Sequence, residues 1–266
     1  MTAPTAEFDH YLALWDLVPE GEPRLMPMTG SRLLAVRWRG RPAMLKLAAS
    51  EDERRGGQIM QWWNGQGAAP VYACNHEALL MAQACGATLV ELVTAGEDAR
   101  ATTLICRTLS DLHAPRPQPP ASIPLAALFR ALLDNGESRL SGPRATALKL
   151  LSAQTDQRLL HGDMHHANVL DFGPLGWLAI DPWGVTGERA YDYANLFRNP
   201  TPAEITRERF LARRAQIARE AGLDPERLTR WAYAHAGLSA AWDLADGHPD
   251  EAKRSFALIE LVESLG

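Results

Sequence analysis

Strand-like and helix-like segments are segregated along this chain, and that order limits the folds it can adopt. The first third holds two apolar β-rich runs, LLAVRW (33–38) and AMLKLA (43–48), joined by the polar turn RGRP (39–42), which is the pattern of a β-hairpin. A further strand is predicted at ALLMAQA (78–84), whereas helical periodicity dominates from about residue 99. Segregated strands and helices indicate an α+β fold.

A helix is predicted directly after the hairpin. Ser50 can cap it, acidic residues occupy its first turn, and the glycines of NGQG (64–67) end it. Farther along, the proline-rich segment PRPQPPASIP (115–124) cannot continue a helix and is predicted to be a surface connector. Helical patterns return in five segments, at about 124–134, 143–158, 202–221, 225–245 and 249–264.

The composition disfavours several classes of protein. The 266 residues are 46% apolar, which is enough for a large core. The net charge is −5, whereas nucleic-acid-binding proteins usually have an excess of basic residues. A cationic or neutral ligand is therefore expected, and no nucleic-acid partner. Three cysteines without a CxxC pair indicate neither disulfides nor a zinc knuckle. Without a basic signal region or an uncharged run of about 18 residues, a cytoplasmic protein with no membrane partner is expected.

One polar cluster interrupts the helical part of the chain. The segment HGDMHHANVLDFGPLGWLAIDPWG (161–184) is typical of a hairpin in which VLDF and WLAI flank the turn GPLG. A hairpin centred between Pro174 and Leu175 predicts that Asn168 and Asp181 lie opposite each other, about 5 Å apart. An amide oxygen and a carboxylate at that spacing can share Mg²⁺, which keeps its other positions for water and phosphate.

Asp163 lies in the loop before this hairpin and can face the same space. A carboxylate beside a metal-bound phosphate can accept a proton from an attacking hydroxyl. Asp163, Asn168 and Asp181 together therefore predict a phosphoryl-transfer site with Asp163 as general base. The structural alternative is that they cap a turn, start a strand and end a strand, respectively.

A zinc site is the competing interpretation of the same segment. Its potential ligands are His161, Asp163, His165 and His166. Such a site needs further ligands, and the remaining histidines stand singly, at His10, His76, His113, His235 and His248. We therefore interpret His161 as a residue that packs the loop, and His165 and His166 as loop or surface positions.

Lys46 is predicted to bind phosphate. The chain uses 24 Arg but only three Lys, so a lysine inside the apolar strand AMLKL suggests that a compact ammonium is required there; the alternative is an edge-strand lysine that guards against aggregation. Glu53 in the following helix is its predicted partner. Ser50 and Glu53 also fit a capping box, in which the Glu53 carboxylate would bond the backbone instead. The loop MTGSR (28–32) could add backbone N–H groups to a phosphate site.

These motifs resemble those of a known family. HGDMHHAN followed by AIDPWG is similar to the HGDxHxxN and IDP motifs of the aminoglycoside phosphotransferases. WWNGQGAAPV, GERAYDYANLFRNP and AYAHAGLSAAWDLADG resemble the branch that contains streptomycin 6-kinases and hydroxyurea phosphotransferases. The matches run from about residue 30 to 250. The resemblance implies a bilobal protein-kinase-like fold, with a nucleotide-binding N-terminal lobe (1–84) and a catalytic and acceptor-binding C-terminal lobe (85–266).

The resemblance also implies residue roles and a donor. It assigns catalysis and donor binding to residues already singled out: the base Asp163, the magnesium ligands Asn168 and Asp181, and the phosphate-binding pair Lys46 and Glu53. The hinge that holds adenine through backbone groups falls at Gln83 to Cys85, with Met81 lining the pocket behind it. ATP with Mg²⁺ is the expected cofactor set, and GTP is the alternative donor.

The acceptor is expected to be a cationic, polyhydroxylated small molecule. Streptomycin-like acceptors carry guanidinium groups, so their site should offer carboxylates and flat apolar surfaces. The candidates are Glu188, Trp242, Asp243 and Asp246, of which the last three share one face of a predicted helix. The alternative is an amphipathic helix with Trp242 in the core and the acids in solvent. A second stripe, formed by Asp192, Asn195 and Arg198, is expected to be internal and to hold the magnesium loop.

The predicted activity is transfer of the γ-phosphoryl group of ATP to a hydroxyl of an aminocyclitol antibiotic, with the 6-hydroxyl of streptomycin as the first choice. One alternative keeps the enzyme class and changes the acceptor to hydroxyurea or an unknown metabolite alcohol. A different class is a catalytically idle nucleotide-binding regulator. No oligomeric state is predicted.

Overall fold

A computed structural model describes residues 7–27, 29–201 and 203–265. Met28, in the predicted phosphate loop, and Pro202, in the predicted helix 202–221, lie outside the described residues. Within the described ranges, no helix combines the length and the apolar character that crossing a membrane requires.

A six-stranded antiparallel sheet occupies the N-terminal part of the described chain. Its strands are β1 (Leu17–Pro19), β2 (Arg24–Leu25), β3 (Arg32–Trp38), β4 (Arg41–Leu47), β5 (Val71–Cys74) and β6 (Ala78–Ala82). Their order is β1-β3-β4-β6-β5, with β2 pairing with β3. The predicted hairpin is confirmed as β3 and β4, and the predicted strand 78–84 as β6. Arg39 and Gly40 join β3 to β4 with positive φ angles, which a two-residue hairpin turn requires.

The central position of β4 decides the environment of Lys46. This strand pairs with β3 on one side and with β6 on the other, so the alternative of an edge-strand lysine is wrong. Side chains alternate between the two faces of a strand. Leu45 therefore packs in the cluster beneath α1 (Asp9–Leu14), while Lys46 projects from the other face toward α2 (Glu51–Trp63).

The ends of α2 follow the predicted signals. The Ser50 hydroxyl accepts a hydrogen bond from the Glu53 backbone N–H at 3.3 Å, which satisfies one of the free donors of the first turn. Asn64, the first residue of NGQG, ends the helix in the left-handed conformation. Only the Ser50 half of a capping box is formed among the described residues, because no bond joins the Ser50 N–H to the Glu53 carboxylate. The carboxylate is therefore left for a partner outside the helix.

The C-terminal part is mostly helical. Its helices are α3 (Leu89–Thr94), α4 (Asp98–Leu112), α5 (Leu125–Leu128), α6 (Arg130–Leu133), α7 (Ser141–Ser152), α8 (Arg207–Ala221), α9 (Pro225–Ala245) and α10 (Pro249–Glu263). The strands among them are β7 (Ile123–Pro124), β8 (Gln157–Leu160), β9 (Val169–Asp171), β10 (Trp177–Ala179) and β11 (Val185–Glu188). α9 passes through the core, where Trp231 is fully buried against Phe129 and Tyr191. The predicted α+β class is confirmed.

A small sheet with the order β7-β11-β8 is absent from the sequence-based prediction. β7 ends the proline-rich connector 115–124, and β8 lies where a helix was predicted to continue to residue 158. β11 pairs with both strands, so this sheet joins segments far apart in the chain. Local periodicity does not record such pairing. The sheet matters for the site because β8 leads directly into the polar segment 161–184.

Candidate functional site

Two loops carry the polar residues of segment 161–184 and are bonded to each other. We call residues 161–168, between β8 and β9, the catalytic loop, and residues 180–184, after β10, the IDPWG loop. The His161 ring donates from Nε2 to the Ile180 carbonyl at 2.8 Å, and the backbone N–H of Trp183 donates to the His161 carbonyl at 2.8 Å. The Ile180 N–H donates to the Asn168 carbonyl at 3.0 Å. These bonds hold the two loops in one register.

His161 is a structural residue, as predicted. It is fully buried, and its Nδ1 lies 3.3 Å from the Asp163 backbone N–H. Burial lowers the pKa of His161 despite the nearby carboxylates, so the ring is neutral at pH 7 and carries its proton on Nε2. His166 lies in this loop, which is one of its two predicted positions, but it is not at the surface: it begins a 3₁₀ turn and is only 1% exposed.

Asp192 holds the catalytic loop from beneath. Its carboxylate accepts the backbone N–H groups of His161 at 2.9 Å and Gly162 at 2.8 Å, and it contacts Nε2 of His113 at 2.8 Å. Asp192 lies in the 3₁₀ segment Arg189–Phe197 and is buried. A buried carboxylate is stabilised when every oxygen has a donor, so this residue can fix the loop backbone. The internal role expected for Asp192 agrees with this geometry.

Asp163 has the surroundings that a proton acceptor needs. Its Oδ1 accepts a hydrogen bond from Nδ2 of Asn195 at 3.0 Å, and its Oδ2 lies 3.6 Å from Nε2 of His165. The side chain retains 31% exposure, so a substrate can reach it. Burial raises the pKa of the Asp163 carboxyl, but the neighbouring His165 more than offsets this and holds it below its usual value. The carboxylate is therefore ionised at neutral pH and able to accept a proton.

The hairpin register differs by one residue from the predicted register. β9 and β10 pair Val169 with Ala179, and therefore place Asn168 beside Ile180 rather than opposite Asp181. The cause is a 3₁₀ turn at Gly173–Leu175, closed by a bond from the Phe172 N–H to the Gly176 carbonyl at 2.9 Å. This loop is centred on Pro174, and an odd number of loop residues shifts the pairing by one.

Asp181 has a left-handed backbone. Its φ angle is +64°, a conformation that non-glycine residues seldom adopt and that ends the strand-like alternation after Ile180. The Asp181 side chain reaches Lys46 on β4, and it is 40% exposed. Strained backbone of this kind is often found at functional sites. The exposed carboxylate therefore faces the cleft between β4 and the catalytic loop.

The donor set of Asn168 and Asp181 fits a magnesium ion. Nδ2 of Asn168 donates to the Asp163 carbonyl at 2.9 Å, so the amide is oriented with its Oδ1 as the free end, and no donor among the described residues bonds that oxygen. Mg²⁺ commonly takes one or two protein oxygens and completes its shell with water and phosphate. Within the described ranges, no group of three or more His, Cys, Asp or Glu side chains is placed to hold a metal ion. The structure therefore does not support the zinc interpretation.

Lys46 forms ion pairs with both Glu53 and Asp181. Its side chain is 11% exposed and that of Glu53 is 10% exposed. Burial lowers the pKa of Lys46, but the Asp181 and Glu53 carboxylates outweigh burial and raise it, so the ammonium stays charged. Glu53 therefore has two partners: its backbone N–H donates to the Ser50 cap and its carboxylate pairs with Lys46.

A cavity opens behind this ion-pair cluster. Its lining includes Lys46, Glu53, Asp181 and the predicted Met81. The predicted hinge differs in one respect, because the Cys85 N–H donates to the Asp171 carbonyl at 3.0 Å and is not free to bind adenine. Gln83 lies in the connection between β6 and α3. The backbone contacts expected for adenine would therefore come from Gln83 and its neighbours rather than from the Cys85 N–H.

Glu188 is not an acceptor-binding residue, contrary to the prediction. It is 2% exposed, and its carboxylate accepts bonds from Arg227 at 2.5 Å, from Nε1 of Trp231 at 2.9 Å and from the Thr155 N–H at 3.1 Å. Both oxygens are therefore occupied inside the protein. The sequence does not reveal this, because the two side-chain partners, Arg227 and Trp231, lie on α9, about forty positions away.

Glu188→Ala is expected to lower the free energy of unfolding by about 3 kcal/mol, because it leaves the Arg227 charge and the Trp231 N–H without their partner. Chemical denaturation measures this loss. The KM for the acceptor should stay unchanged in the folded variant. Glu226→Ala is the matched control, since Glu226 is exposed and pairs with Arg214 on the surface, where such pairs contribute little. An unchanged stability with a raised acceptor KM would restore Glu188 to the acceptor site.

The C-terminal end of α9 lies beside the IDPWG loop. The ring of Trp242 packs at 5.4 Å from that of Trp183, and Asp243 pairs with Arg198 at 2.9 Å. Asp246 is exposed at the helix end. Trp242 is thus brought against the IDPWG loop, Asp243 follows it on α9 and Asp246 ends that helix, whereas Trp183 and Arg198 were not predicted as acceptor residues. An aromatic residue two positions after Asp181 was the available signal for Trp183.

Comparison with known proteins gives a match over most of the chain. Residues 14–247 match the family described as aminoglycoside/hydroxyurea antibiotic resistance kinase. A streptomycin 3''-kinase of Klebsiella pneumoniae is 44% identical over 88% of this chain and 91% of its own length. A streptomycin 6-kinase of Streptomyces griseus is 28% identical over 93% of this chain and 85% of its own length.

The solved structures show the fold. A thermostable mutant of aminoglycoside phosphotransferase APH(4)-Ia, solved with ADP and hygromycin B, superimposes with a TM-score of 0.67. The two chains share 14% identity, and the match covers 98% of each. The expected protein-kinase-like fold is therefore confirmed.

Proposed function

The chain belongs to the aminoglycoside/hydroxyurea antibiotic resistance kinase family, and from that premise we propose that it transfers the γ-phosphoryl group of ATP to a hydroxyl of streptomycin. Kinases of this family use ATP with Mg²⁺. The observation that carries the proposal is that the loops bearing Asp163, Asn168 and Asp181 are bonded to each other and that Asp181 pairs with Lys46. In this proposal residues 1–84 hold the nucleotide and residues 85–266 supply the catalytic loop and the acceptor site. Because ATP is the donor, we expect the protein to act in the cytoplasm.

Each of these side chains has a distinct part in the proposed transfer. The Lys46 ammonium, held by Glu53, would bind the donor phosphates, and Asn168 and Asp181 would hold Mg²⁺, whose charge offsets that of the phosphates when it is bound. The Asp163 carboxylate would accept the proton of the acceptor hydroxyl as the new O–P bond forms. Mutual positioning of these groups by the loop hydrogen bonds supplies much of the catalysis in such enzymes.

The acceptor surface we propose consists of Trp183, Trp242, Asp243 and Asp246. Two indole rings, tilted by 57° to each other, provide apolar faces, and two carboxylates near the end of α9 suit guanidinium groups. Asp243 is already paired with Arg198, so a cationic acceptor would compete for it. Asp246 is exposed and has no such competitor among the described residues. This chemistry supports a cationic acceptor over hydroxyurea, which is small and neutral.

The hydroxyl that receives phosphate has two candidates. The 3''-hydroxyl of streptomycin is favoured by the relative with that printed activity, at 44% identity. The 6-hydroxyl, expected from sequence motifs, is favoured by the 6-kinase at 28% identity. Since the first likeness is stronger over a similar share of the chain, we propose the 3''-hydroxyl first.

An acceptor panel tests this proposal. The protein is incubated with MgATP and, in turn, streptomycin, hygromycin B, hydroxyurea and simple amino alcohols, and ADP formation is measured. We expect streptomycin to give the highest kcat/KM, with phosphorus–proton correlation NMR of the product placing phosphate on the 3''-hydroxyl. Phosphate on the 6-hydroxyl would support the second candidate. Faster turnover of hydroxyurea would reject the proposed acceptor, and no turnover with any acceptor would favour the idle regulator.

A further inference from the structure

The carboxylate of Asp163 is held by one side chain that lies outside the HGDxHxxN and IDP motifs, in the segment GERAYDYANLFRNP (187–200). Nδ2 of Asn195, in the 3₁₀ segment Arg189–Phe197, donates to Oδ1 of Asp163 at 3.0 Å. Among the described residues, no other side chain lies within hydrogen-bond distance of this carboxylate, since His165 stands at 3.6 Å. Asn195 is 7% exposed. It therefore fixes one oxygen of the base from inside the protein.

A second asparagine sets the orientation of the Asn195 amide. Nδ2 of Asn199 donates to Oδ1 of Asn195 at 2.7 Å and to the Asn195 carbonyl at 3.1 Å. The two ends of an amide have nearly the same shape but opposite hydrogen-bonding character. With its oxygen occupied by a donor, Asn195 must present its NH₂ group to Asp163. The reverse orientation would place an amide oxygen against a carboxylate oxygen.

The pair is anchored to the core by Arg213. Its Nη1 donates to the Asn199 carbonyl at 2.7 Å, and its guanidinium also pairs with Asp98 on α4. Arg213 is 3% exposed, and its planar group is held on two sides. The anchor therefore fixes the backbone that carries Asn199, so the Asn199 side chain has a defined position from which to orient Asn195.

We propose that Asn195 is a positioning residue for the transfer reaction, with Asn199 acting through it. The inference depends on the proposed function, in which Asp163 accepts the proton of the acceptor hydroxyl. Fixing Oδ1 stops rotation of the carboxyl group and keeps Oδ2 directed at the site where that hydroxyl would lie. A misplacement of about 1 Å in such a group can cost roughly a hundredfold in rate, while substrate binding by other residues is unaffected.

Steady-state kinetics of Asn195→Ala, Asn199→Ala and the double variant test this proposal. We expect Asn195→Ala to lower kcat by roughly 10- to 100-fold, with the KM values for ATP and streptomycin within about twofold of those of the unaltered chain. Asn199→Ala should lower kcat by a smaller factor. Because Asn199 acts through Asn195, its removal should have no added effect in the double variant, whereas independent residues would give multiplied losses.

Asn135→Ala is the matched control. Oδ1 of Asn135 accepts the Glu137 N–H at 2.8 Å in the helical part, so the variant loses a comparable side-chain hydrogen bond at a position with no bond to the catalytic loop. It should keep the kcat of the unaltered chain. If Asn195→Ala does not fold, Asn199→Ala still carries the test, because its backbone carbonyl remains to bond Arg213.

The outcomes separate this inference from the proposed function. No turnover by the unaltered chain with any acceptor would overturn both. An active unaltered chain together with full kcat in Asn195→Ala would overturn this inference alone. Multiplied losses in the double variant, or a loss in KM rather than kcat, would also overturn it.

Discussion

Asp163→Asn is expected to lower kcat about a thousandfold while nucleotide binding is retained. A positioned general base contributes about 10²- to 10⁴-fold to rate, and an amide cannot accept the hydroxyl proton. The substitution keeps the size of the side chain and an oxygen that can still accept the bond from Asn195. Lys46, Asn168 and Asp181 are unaltered, so the donor site should remain intact. Coupled ADP-release kinetics with streptomycin measure kcat, and isothermal titration measures the Kd for MgATP.

Asp134→Asn provides a comparison for the same chemical change on the surface. Asp134 is exposed at the end of α6, far from the catalytic loop in sequence, and its variant should keep full turnover. A kcat in Asp163→Asn within about twofold of the unaltered value would remove Asp163 from the role of base. Loss of MgATP binding together with turnover would instead assign it to the donor site.

Lys46→Met is expected to lower kcat/KM for ATP by at least about a hundredfold, in line with the loss of a preorganised electrostatic contact at a reacting phosphate. Methionine keeps the length of the side chain and removes its charge. The change also leaves Glu53 as a buried, unpaired carboxylate, so the free energy of unfolding should fall by about 3 kcal/mol. Kinetics with varied ATP and chemical denaturation measure the two effects separately.

The two effects of Lys46→Met are separable by a second substitution. Adding Glu53→Gln removes the unpaired charge, so it should restore most of the stability but none of the activity. Lys149→Met is the matched control, because Lys149 is an exposed residue of α7. Full restoration of activity in the Lys46→Met, Glu53→Gln variant would show that Lys46 serves the fold rather than the nucleotide.

Local patterns predicted the elements whose signals lie within a few residues of each other. Strand alternation and the turn at Arg39 and Gly40 identified the β3–β4 hairpin, and Ser50 identified the start of α2. α9 has the bounds predicted from its pattern. In each case the hydrogen bonds that define the element join neighbours in the chain, so the sequence records them directly.

Contacts between distant segments could not be predicted in the same way. The ion pair of Glu188 with Arg227 and the sheet β7-β11-β8 both depend on how far-apart segments pack. Asn168 was predicted to pair with Asp181, one residue beyond its actual neighbour Ile180. The 3₁₀ turn at Gly173–Leu175 centres the loop between β9 and β10 on Pro174 and so shifts the pairing by one. For the site, the sequence indicated the chemical groups at Asp163 and Asp181, but not that the left-handed backbone of Asp181 turns its carboxylate to Lys46.

The acceptor surface shows the same limit. The helical spacing of Trp242 and Asp243 was visible in the sequence, but their partners Trp183 and Arg198 lie on other segments. These contacts place the end of α9 against the IDPWG loop, which joins the proposed acceptor surface to the donor site. A shape made by two segments determines which hydroxyl can approach Asp163, so acceptor choice is a property of the folded chain.

The most direct test of this account is the mass of streptomycin after incubation with the protein and ATP, with Mg²⁺ present or removed by a chelator. We predict that streptomycin gains one phosphoryl group when Mg²⁺ is present and stays unmodified when it is removed. The account would be contradicted if streptomycin stays unmodified with MgATP and folded protein. It would also be contradicted if streptomycin is phosphorylated equally well without any divalent metal.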